Sequence, residues 1–385
     1  MKNNDIVEKR KKLGLTIKEL SDALGYGVSG ESQLRAWEKG TEAIPDADYD
    51  RIMKFATITP YKKPVDSPKF KFIDLFAGIG GIRIPFQEEG GECVFTSEWD
   101  EYAVKTYKTN FGGEVFGDIT KIQSGDIPDF DILLGGFPCQ PFSQAGLHKG
   151  FSDTRGTLFF EVERIIRDKR PKAFLLENVK QLVGHDKGNT LKVILQHLQS
   201  LNYSVDYKVL AARDFGVPQI RERIYIVGFD KEFYGLSDSF HFEFPVPPCT
   251  PTKVGDVLEK NVDSKYTISD KMWIGHQNRK QSNREKGKGF GYSLFNEESP
   301  YTSTISARYY KDGSEALIEQ SGKNPRKLTP RECARLQGFP ENFIIPVSDC
   351  RAYKQFGNSV AVPVIRAISR RMQETITSLT IKAGK

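Results

Sequence analysis

The chain has little cysteine and no long apolar run, and each absence narrows what it can be. Its 385 residues include 5 cysteines, an odd number scattered without paired spacing. That argues against a disulfide framework and against a zinc site, so no metal is expected, and it fits a reducing cytosol. No run of about 18 apolar residues occurs, so no spanning helix is expected. The N-terminus, MKNNDIVEKRKK, is charged and leads into no apolar stretch. A secretory signal is therefore not expected, and the protein reads as cytoplasmic. Internal repeats are also missing.

What is present suffices for a large core, since 38% of the residues are hydrophobic. The net charge of +6 is modest but unevenly spread. Between Lys265 and Lys327, twelve Lys/Arg outnumber seven Asp/Glu, a surplus of +5. A surface that contacts phosphates requires such a concentration.

Three regions separate by pattern. Residues 1–56 read as short helices, with Leu13, Ile17, Leu20, Leu24, Leu34 and Trp37 near helical spacing and a capping box at Thr16 and Glu19. Residues 57–69 carry three prolines and read as a linker. From Phe70, strand-like runs (FKFIDLF, ECVFTSEW, DFDILLGGF, AFLLENV, YSVDYKVL, RIYIVGF) alternate with helical stretches near 101–109, 158–168 and 190–201. Such alternation predicts an α/β fold, a mostly parallel sheet with helices on both faces. The rhythm stops near residue 240. Residues 240–328 are rich in Gly, Pro, Asn and Lys, and helical pattern returns over 329–385, with a closing helix across 360–381.

FIDLFAGIGG ends the first strand in a turn whose Gly78, Gly80 and Gly81 let the backbone approach a ligand. Glu98 follows the second strand, placed to accept from ribose hydroxyls. Asp118 follows a further strand-like run, EVFGDI, placed to reach an adenine amino group. Trp99 and Ile119 stand beside them to pack on the adenine faces. Residues at successive strand ends converge on one crevice. No lysine follows the glycines, which disfavours a nucleoside triphosphate; a methyl donor needs no phosphate cradle.

The loop GGFPCQPFS follows the strand DFDILL and presents Cys139 between Pro138 and Gln140–Pro141. A structural cysteine usually sits within an apolar run; this one occupies a stiff strand-end loop, as a nucleophile would. AFLLENV brings Glu177 to another strand end, where partial burial would raise its pKa. QIRERIYIVGF brings Gln219, Arg221 and Arg223, the two arginines on one face of an extended segment. Thiol, acid and arginine together suit attack on carbon 6 of cytosine. The acid protonates ring nitrogen 3, carbon 5 becomes nucleophilic and accepts a methyl group, and loss of its proton releases the thiolate. A free cysteine is only about 3% thiolate at neutral pH, so the arginines and loop amides would help it ionise.

These residues resemble the bacterial restriction–modification DNA cytosine-5 methyltransferases. The likeness runs from Phe70 to the C-terminus with six motifs in order: FIDLFAGIGG, GFPCQPFS, ENV, QIRER, KLTPRECARLQGFP and QFGNSVAVPV. It implies a Rossmann-like S-adenosylmethionine-dependent methyltransferase sheet with a small target-recognition domain. It makes Cys139 the nucleophile, Glu177 the acid and Arg223 a partner of the flipped base, with Arg221 and Gln219 in the same catalytic motif. Phe76, Gly78, Gly80, Glu98, Trp99, Asp118, Pro138, Leu158, Asn358 and Ser359 would line the cofactor pocket. KGFSDTRGTLFFEV resembles a mobile loop that closes over double-stranded DNA; Arg155 within it, and Gln144 before it, are expected DNA contacts. A related tRNA-modifying family lacks a GFPCQPFS loop of this form.

Sequence choice is expected within 240–328. GKGFGYSLF offers Phe290 and Tyr292; TSTISARYYKDG offers Thr304, Arg308, Tyr309, Tyr310 and Lys311. Arginine is the commonest bidentate reader of guanine. Both strings resemble recognition segments of relatives that modify CCGG or CC(N)GG palindromes at the inner cytosine. A cognate endonuclease acting on the same site need not bind the protein. In the N-terminal region, TIKELSDALGYGVSGESQLRAWEKG resembles a phage-repressor helix-turn-helix, with helices at 17–24 and about 32–39 exposing Gln33 and Arg35. The connection GYGVSGESQ is longer than the usual turn. Some relatives with such extensions repress their own promoters, and the same is expected here.

Overall fold

The computed structural model describes residues 2–62, 67–138 and 157–382. Helices α1 (Lys2–Lys12), α2 (Ile17–Leu24), α3 (Gly30–Lys39) and α4 (Asp46–Lys54) come first. The expected capping box forms: Glu19 N donates to Thr16 Oγ1 at 3.1 Å, and Thr16 N donates to Glu19 Oε2 at 2.8 Å. Ile6, Leu20, Leu34, Trp37 and Ile52 close a separate small core. The link between α2 and α3 is shorter than the sequence suggests, because α3 begins at Gly30. A Cβ at Gly30 would lie 2.3 Å from Ser21 Oγ. Only glycine lets α3 start so close beneath α2.

The main sheet contains β1 (Phe70–Leu75), β2 (Gly91–Ser97), β3 (Ile132–Gly135), β4 (Ala173–Val179), β5 (Tyr203–Ala211) and β6 (Glu222–Asp230). Their spatial order is β2-β1-β3-β4-β6-β5. Strands β2, β1, β3 and β4 are parallel, while β6 runs antiparallel to both β4 and β5. The expected strand at EVFGDI reduces to a single bridge between Ser97 and Phe116. Glycines flank it, and Asp118 turns the chain at once by accepting from Thr120 N at 3.0 Å.

Alternation along the strands fills both faces. Phe72, Leu134, Leu175 and Val227 face α5 (Arg83–Glu88) and α13 (Val362–Lys382), which contribute Phe86, Ile365, Ile368 and Met372. Ile73, Leu133, Leu176 and Ile226 face α7 (Thr157–Lys169) and α8 (Asn189–Ser200), through Val162, Ile165, Ile194 and Leu198. Helix α6 (Glu101–Phe111) follows β2, and the short α9 (Lys231–Tyr234) follows β6.

Beyond residue 240 come α10 (Asp270–Glu285), a small sheet ordered β7 (Leu294–Phe295), β8 (Leu317–Ile318), β9 (Arg326–Lys327), then α11 (Pro330–Leu336) and α12 (Asp349–Asn358). Their core is continuous with the outer side of the glycine turn. Val254, Ile305, Tyr309, Leu328 and Phe356 pack in one cluster with Ile79, Tyr107 and Phe111.

Candidate active site

The carboxyl ends of β1, β2, β3 and β4 are adjacent, so the segments that follow them share one edge of the sheet. After β1 the chain turns through Phe76, Gly78 and Gly80, all at positive φ (54°, 56° and 84°). A Cβ at Gly80 would lie 2.2 Å from the Phe111 ring, whereas one at Gly78 would meet nothing within 4 Å among the described residues. Gly80 therefore serves close packing, and Gly78 faces open space. Glu98 Oε2 accepts from Gly78 N at 2.8 Å, and Oε1 accepts from Trp99 N and Asp100 N at 2.9 and 2.8 Å. A carboxylate offers about four lone-pair sites, which leaves one on Oε2 for a ligand hydroxyl. Burial lifts the Glu98 carboxyl above its usual range despite these amides. Trp99 beside it is 80% exposed, an apolar face with no protein cover.

The acid sits on β4, three strands along from β2. Glu177 pairs across β6 with Tyr225, which puts Arg223 diagonally next to it on the same face. Arg223 Nε lies 3.2 Å from Glu177 Oε1, both side chains nearly buried. Burial raises the Glu177 pKa; Arg223 and Arg221 pull it back in part. Glu177 also borders the loop after β3, since a Cβ on Gly136 would lie 3.7 Å from its Oε2. Asn178 fixes that loop by donating from Nδ2 to the Phe137 carbonyl at 3.0 Å. The sequence points to Asn178 only as Glu177's neighbour; its tether role emerges from the fold.

The other expected residues are placed as follows. Cys139, Gln144 and Arg155 lie outside the described residues. Pro138 is exposed, Phe76 and Leu158 are half-buried, and Asn358 is exposed at the end of α12. Ser359 Oγ approaches the glycine turn, 2.9 Å from where a Gly81 Cβ would be. Asp118 uses Oδ1 on Thr120, through both its amide and hydroxyl. Ile119 departs from expectation: it is only 2% exposed and packs into the sheet core, so its side chain offers little face to adenine.

Gln219 and Arg221 also depart from a direct catalytic role. Both are buried, at 0% and 1% exposed; Gln219 and the two terminal nitrogens of Arg221 bond to backbone, while Arg221 Nε has no partner among the described residues. Gln219 donates to the Leu336 carbonyl and accepts from Ile305 N, at 3.1 and 3.0 Å. Arg221 donates to the carbonyls of Ile305, Gly357 and Ser359. Burial pushes the Arg221 pKa down to about 9, with Arg223 adding to the effect. Alternation by two fails as a guide here, because Arg221 precedes β6 in irregular chain.

In the basic region, Arg308 and Lys311 are exposed, Tyr310 is 37% exposed and Phe290 54%. Tyr309 is a correction: it is fully buried, its hydroxyl donating to Ala316 O and accepting from Leu328 N at 2.6 and 2.8 Å. The turn from Ser306 to Lys311 sends neighbouring side chains outward and this one into the core. Thr304 is half-buried, its hydroxyl donating to the Ile220 carbonyl. Tyr292 packs edge-on against Trp273 at 4.9 Å, with Lys280 Nζ 4.2 Å from its centroid. In α3, Arg35 is exposed and pairs with Glu31, and Gln33 donates to Glu42.

The family model for C-5 cytosine-specific DNA methylases matches residues 70–374, and a helix-turn-helix model matches 6–49. The chain is 59% identical over 374 residues to the type II methyltransferase M.SsoII of Shigella sonnei, covering 97% of this chain and 98% of that one. It is 65% identical over 314 residues to M.NlaX of Neisseria lactamica, covering 81% and 98%. The solved Entamoeba histolytica methyltransferase EhMeth aligns with a TM-score of 0.64 over 80% of this chain and 99% of that one; at 20% identity the likeness concerns the fold. This chain therefore belongs to the C-5 cytosine-specific DNA methylases, among the type II methyltransferases of restriction–modification systems, and carries an N-terminal helix-turn-helix unit.

Proposed function

We propose that the protein methylates carbon 5 of a cytosine extruded from duplex DNA, with Cys139 as nucleophile, Glu177 as acid and Arg223 as the group that holds base and acid together. The observation that carries this is the buried Glu177–Arg223 contact of 3.2 Å beside the loop that leads to Cys139. Extrusion costs a few kcal/mol, which binding energy from the basic surface offsets. Cys139 Sγ adds to carbon 6 while Glu177, its pKa raised by burial, donates to ring nitrogen 3. Carbon 5 then carries the electron density that takes up the methyl group. Water takes the carbon-5 proton, the thiolate leaves carbon 6, and nitrogen 3 returns its proton to Glu177, which restores the ring.

The pocket residues fit S-adenosylmethionine, which supplies an electrophilic methyl group when bound. Glu98 retains an acceptor site for a ribose hydroxyl, Trp99 an uncovered ring, and Gly78 open space above the turn. The remaining carboxylate oxygen of Asp118 suits an adenine amino group. Domains divide as 1–56 for promoter DNA, 70–239 with 329–385 for catalysis, and 240–328 for target choice. Arg308, Lys311 and Phe290 are the exposed groups that would read a CCGG or CC(N)GG palindrome at its inner cytosine, protecting it from a cognate endonuclease. The outward face of α3 would bind the protein's own promoter.

Transfer of labelled methyl groups to duplex DNA and RNA tests the reaction. Label should enter duplex DNA only, and Cys139→Ser should abolish transfer while DNA binding persists. Full activity in that variant would overturn the mechanism. Digestion protection over CCGG and CC(N)GG sites tests the target; protection of neither removes it. A gel shift of the full chain on its upstream DNA tests autorepression, and no shift at low salt removes that claim.

A further inference from the structure

We propose that Arg221 is a positioning residue that locks the DNA-reading segment to the cofactor pocket, so that seating of cognate DNA tightens cofactor binding. This rests on the cofactor reading above and adds the coupling. Two stretches distant from Arg221 in sequence, at 305 and at 357–359, meet on its guanidinium. Nη1 donates to Ile305 O at 3.1 Å; Nη2 donates to Gly357 O at 3.0 Å and to Ser359 O. The segment bearing Arg308 is laid against the arginine's own strand lead-in. Thr302 N donates to Pro218 O at 2.8 Å, and Ile220 N donates to Thr302 O at 2.9 Å. Gln219 and Thr304 tie the same two stretches through their side chains.

A second contact runs beside this one. A Cβ on Gly357 would lie 2.2 Å from Ser306 O and 2.5 Å from Ala307 N, so the end of α12 touches the reading segment backbone to backbone. One residue past Asn358, Ser359 abuts Gly81 of the cofactor turn. A shift at Ser306, two residues before Arg308, is thus passed to Gly357 and Ser359 without slack, because packed interiors transmit displacement. A lysine has a compact ammonium in place of the planar fork and cannot span all three carbonyls.

The test measures the affinity of S-adenosylhomocysteine by calorimetry for the full chain. It is taken alone, with a duplex that the enzyme methylates, and with one that it does not. Truncating a buried guanidinium risks unfolding, so the variants are Arg221→Lys and Gly357→Ala, each first compared with wild type by thermal melting. Wild type should bind S-adenosylhomocysteine roughly tenfold tighter with the methylated duplex, within the usual range of coupling between sites. Both variants should reduce that ratio below about twofold; Arg221→Lys should change the affinity in the absence of DNA much less, whereas Gly357→Ala, whose Cβ must displace the Ser306 or Gly357 backbone, should lower it as well. By reciprocity, the duplex should lose the same factor in its response to S-adenosylhomocysteine. A wild-type ratio of one overturns the proposal, as does a folded variant that keeps the full ratio. No binding of S-adenosylhomocysteine under any condition would instead overturn the cofactor reading on which it stands.

Discussion

Glu177 lies under opposing influences. Burial favours its neutral form, and the guanidinium of Arg223 favours the charged one; burial wins. A proton donor near nitrogen 3 is thereby kept loaded at higher pH than a solvated glutamate would be. Glu177→Gln should lower kcat by about 10²–10⁴-fold with a smaller change in KM for DNA; single-turnover kinetics measures both, and a kcat within a few-fold of wild type would remove the acid role. Asp74 offers a stability test. It is fully buried under the cofactor turn, accepts from Tyr107 at 3.2 Å, and has its pKa pushed up to about 7 by burial. A pKa raised on folding gives stability that is present below the unfolded value, near 4, and is lost as pH rises to about 7. Melting temperature should therefore fall between pH 5 and pH 8, and Asp74→Asn should flatten that slope. An unchanged slope in the variant would assign the pH dependence to other groups.

At the scale of elements, Tyr309 and Arg308 separate packing from reading. Tyr309→Phe removes a hydroxyl that serves both Leu328 N and Ala316 O. It should cost about 1–3 kcal/mol of stability in denaturant titration and leave site preference intact. Arg308→Ala should do the reverse, weakening binding to the methylated duplex by about 1–3 kcal/mol with little change in stability. The sequence suggests that both tyrosines in ARYYKDG face outward, because it does not reveal the turn that sends one inward. Elsewhere local patterning suffices. Each of the six apolar runs from Phe70 became a strand, and the Thr16–Glu19 capping box located α2 to the residue. EVFGDI failed because its flanking glycines and the Asp118 turn leave too little chain to pair. Among site residues, Glu98 and Glu177 were readable as strand-end carboxylates. The burial of Gln219 and Arg221 on backbone is not legible in sequence, because their partners, at 305, 336, 357 and 359, are distant. The 240–328 stretch has no rhythm of its own because its core is shared with α6 and α12.

Across the whole molecule, the helix-turn-helix unit is held to the enzyme by ions. Lys105 of α6 reaches Glu19 at 2.9 Å, the same carboxylate that caps α2. Lys265 lies between Asp22 of α2, at 3.2 Å, and Asp349 of α12, at 2.9 Å. Lys265 is 20% and Asp22 7% exposed, so this bridge is screened less than a surface pair. Asp263 backs it from the same side, its carboxylate filling the space where a Gly27 Cβ would sit, 2.1 Å away. One lysine thus joins the helix-turn-helix unit, the basic region and the C-terminal helices. Lys265→Met would leave Asp22 and Asp349 facing each other, with Lys18, 3.7 Å from Asp22, as the remaining cation. The expected loss is about 1–2 kcal/mol in the local opening of α2, a 5–30-fold change in equilibrium. Native-state hydrogen exchange should show faster exchange of the α2 amides by that factor, while amides in β1, β3 and β4 keep their rates. Equal acceleration in the sheet would mean global destabilisation, and unchanged α2 protection would mean that this bridge does not hold the unit in place.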